Sequence, residues 1–541
     1  MPRLNQPLSM RKWALQSLAT NFEVVCYGTT PTHRLRDLIE DGTYLDFQGP
    51  FTQWPSDLLE ELFQAVAQLR PVGRAYLHHL IQPHLESFNL ASGIGDVYFA
   101  IQFLGDRCQN LQRLDLSYIS YLGPDILSQL VSKLPSLKYI NFQMTPITDS
   151  VLGQIGQTCR QLRSLDVSST SISDRGLELL SRKTEGDPPS QLTRLLLTDT
   201  YTSHYGVAAA LRTLPQLRQL EYEFIFQVFD HLTELGGDEA ALELLIEEEE
   251  ANCLVPYRLM SLKSSDPLNK SENLITALHL CPELQTVALT SGPTFQESSL
   301  WNLARLNRLC DLSLTNGPSA YAMDFYNSVV PVLEAIGHQL HNLILTRFTC
   351  IDIHIIGKCC PALKNLALSE ICHFAPVDSI QSELYTQLEA LELWSLVGVQ
   401  LPSIVIKQLT TPCRLVQNLL FRSCDALTDQ LLSELWMVNP MTSLSHATFD
   451  GCRNISLTLL VELLCRDSDL NLLRLWNCPQ ARNNIMKQFF FFSSLITKTT
   501  SIINCYKTQL DQDDYAVMLA TVKSTNMDVH IDWYPYDAEL M

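Results

Sequence analysis

The sequence lacks several features that would each fix a class of protein. It has 16 cysteines but no Cys-x-x-Cys pair, and the adjacent Cys359 and Cys360 do not have the spacing of metal ligands. Its most apolar run, Phe489–Ile496, is far shorter than the ~20 residues that cross a bilayer. The first residues, MPRLNQPLSMRKW, contain no apolar core of signal-peptide length. We therefore expect no metal or other cofactor, no membrane association, and a cytoplasmic location with the nucleus as a second compartment.

Basic residues are also scarce. Lys and Arg number 38 against 58 Asp and Glu, which gives a formal net charge of −20. A general nucleic-acid-binding protein, or a protein of anionic membranes, needs a basic surface, so both classes are disfavoured. The chain has no phosphate-binding loop, nucleophile elbow or His-x-x-x-His pair, and its 13 histidines are dispersed. These absences predict a protein that is not an enzyme.

What the sequence does have is a repeat. The pattern Leu-x-x-Leu-x-Leu begins at Leu111, and matching apolar triplets begin at Leu137 and Leu162, so the steps are 26 and 25 residues. This is the period of leucine-rich repeats. Each triplet predicts a short strand, and the apolar residues at helical spacing that follow it predict the opposite wall. One such unit cannot bury its apolar face alone, so the units must stack.

The triplets can be followed along most of the chain. We count about thirteen convincing copies from Leu85 to Leu475, spaced mostly 23–31 residues apart. The copy Tyr257/Met260/Leu262 is weak, and it follows an acidic insertion at 223–255. The sequence thus predicts an α/β leucine-rich-repeat solenoid, a horseshoe. A helical region at 1–84 precedes repeats at 85–500, and a C-terminal cap follows at 501–541.

Cysteines recur just after the predicted strands, at Cys350, Cys372, Cys424, Cys452 and Cys478. In the segment SCDALTDQLLSEL, residues 423–435, the cysteine is followed by Leu-Thr-Asp and a helical pattern. This arrangement resembles the cysteine-containing subclass of leucine-rich repeats, which is common in receptors that select substrates for ubiquitin ligases. Buried free thiols act as small apolar side chains.

Strand residues that alternate with the apolar ones are expected to face the concave surface. Small polar residues dominate this surface in the middle of the chain, and Asp115 and Asp166 suggest a weak acidic patch. The four C-terminal repeats instead concentrate large residues, and tryptophan with arginine is typical of binding hot spots. We therefore predict that target proteins bind through Glu392, Trp394, Arg422, Asp450, Arg474 and Trp476.

The segment Ser9–Tyr27 has apolar residues at helical spacing. Its pattern of Ser-Met, then Ala four residues on, then Leu after four more, resembles the BC-box, a helix that docks on elongin C. The sequence departs from the commonest form by having Met for Leu and Ala for Cys. The resemblance implies that elongin B–elongin C binds through Met10, Ala14, Leu18 and Phe22.

A second helical pattern, Trp54–Leu69, fits hydrophobic-Pro-x-x-hydrophobic-x-x-x-hydrophobic and resembles the cullin-2 box. Both boxes, in this order and before leucine-rich repeats, resemble the zyg-type substrate receptors of elongin–cullin-2 ubiquitin ligases. The resemblance implies a non-catalytic substrate-recognition subunit of a cullin–RING E3 ligase. The armadillo-like C-terminal part of those receptors is not evident here, so their substrate specificity is not carried over. The implied cullin contacts are Trp54, Pro55, Leu58 and Leu62.

Three alternatives stay open. The segment WPSDLLEELFQAV also resembles the opening helix of an F-box, whose adaptor is Skp1-like, although RPVGRAYLHHLIQPHL replaces the later F-box features. The net charge of −20 also suits a plain leucine-rich-repeat scaffold or inhibitor that clamps a basic partner. An enzyme with its site in the insertion 223–255 is the third alternative.

Overall fold

The computed structural model describes residues 10–28, 40–41, 49–89, 95–182, 190–234, 257–264, 266, 271–293, 295–317, 323–396, 401–455, 472–476, 478, 501–506 and 529–534. At 230, 233–234, 473, 475, 501–506 and 529–534 only the backbone is described. The chain forms two compact units. The N-terminal unit is Gln6–Ser264 with His279–Pro282, and the C-terminal unit is Met1–Asn5, Ser265–Leu278 and Glu283–Met541.

The strands described in the N-terminal unit are each three residues long and lie parallel in chain order. Corresponding residues of the triplets lie opposite one another, so that Ile140 is in register with Leu114 on one side and Leu165 on the other. The strands are β1 Ser87–Asn89, β2 Arg113–Asp115, β3 Tyr139–Asn141, β4 Ser164–Asp166, β5 Arg194–Leu196, β6 Gln219–Glu221 and β7 Ser261–Lys263.

The strands of the parallel sheet in the C-terminal unit are longer, with five to seven residues each. Two of them, β18 and β19, continue the register of β17 inside the predicted cap at 501–541. A small two-stranded sheet pairs β11 with β13. The strands are β8 Thr286–Ser291, β9 Asp311–Asn316, β10 Asn342–Thr346, β11 Cys350–Ile351, β12 Asn365–Ile371, β13 His373–Phe374, β14 Ala390–Ser395, β15 Asn418–Arg422, β16 His446–Asp450, β17 Leu472–Trp476, β18 Ser501–Tyr506 and β19 Val529–Tyr534.

Most connections between strands contain a helix, and several helices begin at a side-chain cap. Asp96 accepts a hydrogen bond from the Phe99 N–H at 3.0 Å, and Thr428 accepts one from the Leu431 N–H at 3.2 Å. The helices are α1 Met10–Thr20, α2 Phe22–Tyr27, α3 Ser56–Leu69, α4 Arg74–Leu80, α5 Val97–Arg107, α6 Pro124–Ser132, α7 Asp149–Thr158, α8 Asp174–Ser181, α9 His204–Thr213, α10 Ile225–Glu234, α11 Ser271–Leu280, α12 Val330–Ile336, α13 Ile353–Cys359, α14 Ser403–Thr410 and α15 Asp429–Val438. Shorter turns of helix are Glu297–Arg305 and Gly337–Gln339 (3₁₀) and Phe325–Val329 (π).

The apolar triplets form the core, as the repeat predicts. Leu111, Leu114 and Leu116 are all buried, and the same holds for the C-terminal triplets from Leu284/Val287/Leu289 to Leu444/Ala447/Phe449. In that unit the rings of Phe421 and Phe449 stack at 6.1 Å on neighbouring strands. Each fully buried Leu or Phe contributes about 1.5–3 kcal/mol. Repetition of the same three positions is therefore what stabilises the stack.

One repeat has a different register from the predicted one. The pairing of Gln219 with Ser261 places Leu262 beside Leu220, and the buried residues are Leu259 and Leu262. The apolar pattern Tyr257/Met260/Leu262 is therefore wrong by two residues. The error arises because a polar residue, Ser264, fills the third apolar place and donates its hydroxyl proton to the Glu223 carbonyl at 2.7 Å.

The predicted acidic insertion begins later than residue 223. Its first part is α10, which buries Ile225, Phe226, Val228 and Phe229 and packs beside α9, so it is the ordinary helix of its repeat. Residues 235–256, with the acidic run Glu247–Glu250, lie outside the described residues.

Side chains bind the backbone at the ends of three strands of the N-terminal unit, β2, β3 and β4. Asn141 accepts a hydrogen bond from the backbone N–H two residues on at 3.1 Å, and Asp115 and Asp166 each do the same at 3.0 Å. Such an Asx turn captures the N–H that the next ladder bond would use. The hydroxyls of Thr145 and Thr170 donate to the carbonyl three residues back, both at 2.6 Å. Asp115 and Asp166 thus have a structural role at strand ends, and the weak acidic patch stays a prediction.

In the C-terminal unit cysteines occupy the region just after the strand. Three thiols donate to carbonyls of the preceding strand at 3.5–3.6 Å: Cys424 to Leu393, Cys452 to Phe421 and Cys478 to Phe449. Burial raises the pKa of Cys424 to about 12 and that of Cys478 to about 11, so both stay protonated and able to donate. The cysteines therefore connect each repeat to the one before it.

Candidate functional site

The outer face of α1 is apolar and exposed. Met10 is 89% exposed and Trp13 is 66% exposed, and Ala14 is also on the surface. Leu15 and Ala19 are buried on the opposite side. Positions three and four apart share one face of a helix, so Met10, Trp13 and Ala14 form a continuous stripe. We call these three residues the α1 stripe. Trp13 is a residue that the BC-box pattern did not select, although its spacing from Met10 could have identified it.

The other two predicted adaptor contacts lie differently. Leu18 is half-buried at the edge of the stripe. Phe22 is 0% exposed, and its ring stacks on Tyr76 at 4.9 Å and on Phe51 at 5.6 Å. The assignment of Phe22 to adaptor binding is therefore corrected, because its side chain belongs to the aromatic core. Phe22 follows the buried Leu15 by seven residues, which on a helix places it on the same buried side.

The four predicted cullin contacts divide in the same way. Pro55 is exposed, and Trp54 and Leu58 are half-buried, with Trp54 packed edge-on against Phe51 at 4.9 Å. Leu62 is 0% exposed, so it has no surface to offer a partner and its assignment is corrected. The apolar stripe of an amphipathic helix marks its buried side, and Leu62 lies on that stripe.

One arginine joins the two helices. The Arg11 guanidinium contacts Asp57 at 2.8 Å and both oxygens of Glu61, at 2.8 and 3.1 Å. These contacts hold the pKa of Asp57 below its ordinary value and that of Arg11 above it. All three side chains are half-exposed or more, so the ion pairs orient α1 against α3 more than they stabilise the fold.

A buried histidine lies beneath these helices. The His79 ring lies 5.0 Å from that of Tyr27 and 6.5 Å from that of Phe22, and burial lowers the pKa of His79 to about 4. Its Nε2 has no hydrogen-bond partner among the described residues. Gly49 packs against the ring so closely that a Cβ there would come within 2.4 Å of Nδ1. The site has the features of a neutral, tightly packed core histidine.

The second candidate surface is on the C-terminal unit. We call the strand positions that alternate with the buried triplets the open face of the sheet. On this face Trp394, Arg422, Asp450 and Trp476 occupy the same position on β14, β15, β16 and β17 and lie in register. The structure therefore brings together four of the six residues in one row, although it leaves their binding role as a prediction.

Contacts within this row are specific. The Arg422 guanidinium lies over the Trp394 ring at 4.9 Å, and its Nε donates to Asp450 Oδ2 at 2.9 Å. The Asp450 side chain is only 16% exposed and that of Arg422 is 36% exposed. An ion pair that is partly desolvated on one side is stronger and less mobile than a surface pair. Arg422 is thereby held in one place between an indole and a carboxylate.

The remaining two predicted residues lie in the adjacent row. Glu392 on β14 is followed in register by Leu420, Thr448 and then Arg474 on β17. Glu392 is half-buried, whereas Arg474 is exposed and lies 6.0 Å from the centre of the Trp476 ring. Leu420 and Thr448 are not among the residues predicted to bind the target. Their position two residues before Arg422 and Asp450 on the same strands is the sequence signal that places them on this face.

No group of three or more His, Cys, Asp or Glu side chains suited to a metal ion occurs in the part of the chain that the structure describes. Within the same residues, no helix combines the length and apolar character needed to cross a membrane.

A family model described as Leucine Rich repeat matches residues 158–181, and no curated protein matches the sequence. The fold is similar to those of several solved structures. The yeast Rad7 and Elc1 complex is 13% identical, with 94% of this chain and 99% of that chain covered and a TM-score of 0.39. An internalin from Listeria monocytogenes is 14% identical over 77% of this chain and 95% of that chain, with a TM-score of 0.32. A leucine-rich-repeat protein from Leptospira interrogans is 12% identical over 82% and 93%, with a TM-score of 0.33.

The matched segment 158–181 contains β4 and α8, which are one strand and one helix of the repeat described above. Stacked repeats of this kind present extended surfaces for protein partners. The fold of this chain is that of a leucine-rich-repeat solenoid.

Proposed function

We propose that this protein is the substrate-recognition subunit of a cullin–RING E3 ubiquitin ligase. The observation that carries the proposal is the α1 stripe, an exposed apolar helix face where the sequence resembles a BC-box. Large apolar side chains that stay in contact with water on a helix face are typical of a helix that docks in a partner's groove. The repeats supply a separate surface for a target.

The adaptor would be elongin B–elongin C, with Met10 and Ala14 inserted in its groove and Trp13 and Leu18 at the margin. Cullin-2 would contact Trp54, Pro55 and Leu58. The Arg11 contacts to Asp57 and Glu61 favour this arrangement, because they fix α1 and α3 in one orientation before any partner binds. No catalytic residue is required of this chain, since the ubiquitin-conjugating enzyme supplies the chemistry.

The test uses the full chain and purified elongin B–elongin C in a pull-down. We expect the wild-type chain to capture the adaptor, and Met10→Asp or Ala14→Asp to lower capture at least about tenfold, because each buries a carboxylate in an apolar groove. Gln64→Asp is the control, since it adds the same charge at an exposed position of α3 that belongs neither to the α1 stripe nor to the proposed cullin contacts. Equal capture by all variants would overturn the proposal.

An F-box assignment is distinguished in the same experiment by a parallel arm with Skp1. Capture of Skp1 in place of elongin C would change the adaptor and the cullin but keep the role of substrate receptor. Capture of neither adaptor would favour the alternative of a plain leucine-rich-repeat scaffold. For such a scaffold, the net charge of −20 predicts a strongly salt-dependent complex with a basic partner.

A further inference from the structure

The open face of β14–β17 carries two pairs of opposite charges, and only the inner pair is compensated. Arg422 and Asp450 form an ion pair with each other at 2.9 Å. The outer pair, Glu392 on β14 and Arg474 on β17, lies in the adjacent row. Within the described part of the chain, neither of these two residues has an oppositely charged partner.

The separation of the outer charges follows from the register. Glu392, Leu420, Thr448 and Arg474 occupy one row on four successive strands. Neighbouring strands are ~4.8 Å apart, so three steps place the two charges about 14 Å from each other. Between them the row holds only Leu420 and Thr448, which carry no charge.

Each outer charge also has a tryptophan two residues further along its strand. Trp394 follows Glu392, and Trp476 follows Arg474. Side chains two residues apart on a strand point to the same face, so each charge and its indole are neighbours. An indole beside a carboxylate adds apolar contact for the stem of a basic side chain whose charge pairs with the carboxylate. An indole beside an arginine adds apolar contact for the stem of an acidic side chain.

We infer that this surface binds an extended segment of the target protein that crosses the four strands and carries a basic and an acidic residue four positions apart. An extended chain rises ~3.4 Å per residue, so four residues span about 14 Å, and side chains at even spacing share one side. The basic residue would pair with Glu392 and the acidic residue with Arg474. The residue midway between them would lie over Leu420 and Thr448, which favours a small or apolar side chain.

This inference rests on the proposed function only in taking the segment to belong to a substrate. Its test therefore leaves the adaptor out. A random nine-residue peptide library is selected on the immobilised full chain, and a labelled peptide, GSRSVSDSG, is titrated by fluorescence polarisation. We expect enrichment of opposite charges four positions apart, in either chain direction, and saturable binding of the labelled peptide.

Charge reversal makes the test specific. Glu392→Arg should weaken binding of GSRSVSDSG at least about tenfold. The same variant should bind GSESVSDSG more tightly, because the basic residue of the peptide is replaced there by an acidic one. The Arg474→Glu variant should bind GSRSVSRSG more tightly, because the acidic residue of the peptide is replaced there by a basic one. Lys263→Glu is the control, since it reverses an exposed charge on β7 in the other unit.

Two results would overturn the inference. One is that the selected peptides show no enrichment of opposite charges four positions apart, and the other is that the labelled peptide binds with an affinity unchanged by Glu392→Arg and Arg474→Glu. Circular dichroism of each variant verifies that it is folded. A chain that fails to capture elongin C but shows this peptide specificity would refute the proposed adaptor and leave this inference standing.

Discussion

The two units of this chain build the same repeat with different side chains at the strand ends. In the N-terminal unit, Asx turns follow β2, β3 and β4, threonine hydroxyls bind the backbone after β3 and β4, and the described strands have three residues each. In the C-terminal unit the corresponding positions include Ala367, Leu420 and Thr448, which form no such turn, and the strands run for five to seven residues. Cysteine thiols there donate to the preceding strand.

The difference shows how one repeat can serve two purposes. A strand-end Asp or Asn that accepts from its own backbone is held in one orientation by that bond. In the C-terminal unit the corresponding row holds Glu392, Leu420, Thr448 and Arg474, for which the described residues show no such bond. The N-terminal unit instead exposes its apolar side chains on α1. We therefore propose that the adaptor binds to the helices of one unit and the target to the sheet of the other.

The largest expected effect concerns the division of the N-terminal helices into core and surface. Phe22→Ala should lower the free energy of unfolding by about 3–5 kcal/mol, because it removes a fully buried ring that stacks on two others. Met10→Ala, on the exposed stripe, should change it by less than about 0.5 kcal/mol. Urea denaturation followed by circular dichroism measures both. A large loss for Met10→Ala would contradict the surface assignment.

The next effect is acid sensitivity of the N-terminal unit. Because the pKa of His79 is lowered from 6.5 to about 4, the unfolded chain binds more protons than the folded one between these pH values. The free energy of unfolding is therefore not affected by His79 protonation above about pH 6.5, and it decreases as the pH falls towards 4. We expect a loss of about 2 kcal/mol, after allowance for solvent screening.

Thermal unfolding between pH 7 and 4 measures this loss. His79→Leu should remove this part of the pH dependence, since leucine fills the apolar site without a titratable group. An unchanged pH profile in that variant would assign the acid sensitivity to other residues.

A smaller effect is expected when one strand arginine of each unit is replaced and the two losses of stability are compared. Arg422→Ala should cost about 1–2 kcal/mol, because Asp450, which is largely buried, loses its ion partner. Arg113→Ala in the N-terminal unit removes an exposed arginine that lies 5.7 Å from the Tyr139 ring, and it should cost less than about 0.5 kcal/mol. A double-mutant cycle of Arg422 with Asp450 isolates the pair. Zero coupling would contradict its structural role.

The smallest effect tests the strand ends themselves. Asp166→Ala should cost about 0.5–1.5 kcal/mol, because the Ser168 N–H loses its acceptor. Thr448→Ala changes the corresponding position of the C-terminal unit, where no Asx turn exists, and should cost less than about 0.5 kcal/mol. Chemical denaturation measures the loss of unfolding free energy in both variants. Equal losses would contradict the contrast between the strand ends of the two units.

The sequence predicts the fold well because the repeat is a long-range periodic signal. Apolar triplets at a regular step mark the buried positions even where the sequence in between varies. The prediction fails where a polar residue replaces an apolar one, as at Ser264, since the hydrogen bond that permits this replacement is visible only in three dimensions.

The candidate sites are harder to predict. A helical pattern gives the spacing of Met10, Ala14, Leu18 and Phe22 but not which side faces the core, and Phe22 lies on the side of the buried Leu15 and Ala19. The strand pattern, by contrast, gives the side of each residue directly. For that reason the row from Trp394 to Trp476 could be predicted from the sequence, whereas the ion pair of Arg422 with Asp450 depends on the register of their two strands.

The central claim is that adaptor and target bind to different units. The most direct measurement is paired titration of the full chain with elongin B–elongin C and with the labelled peptide GSRSVSDSG. Met10→Asp should lose the adaptor and keep the peptide, and Glu392→Arg should lose the peptide and keep the adaptor. Loss of both ligands by either folded variant, or of neither by both variants, would contradict this division.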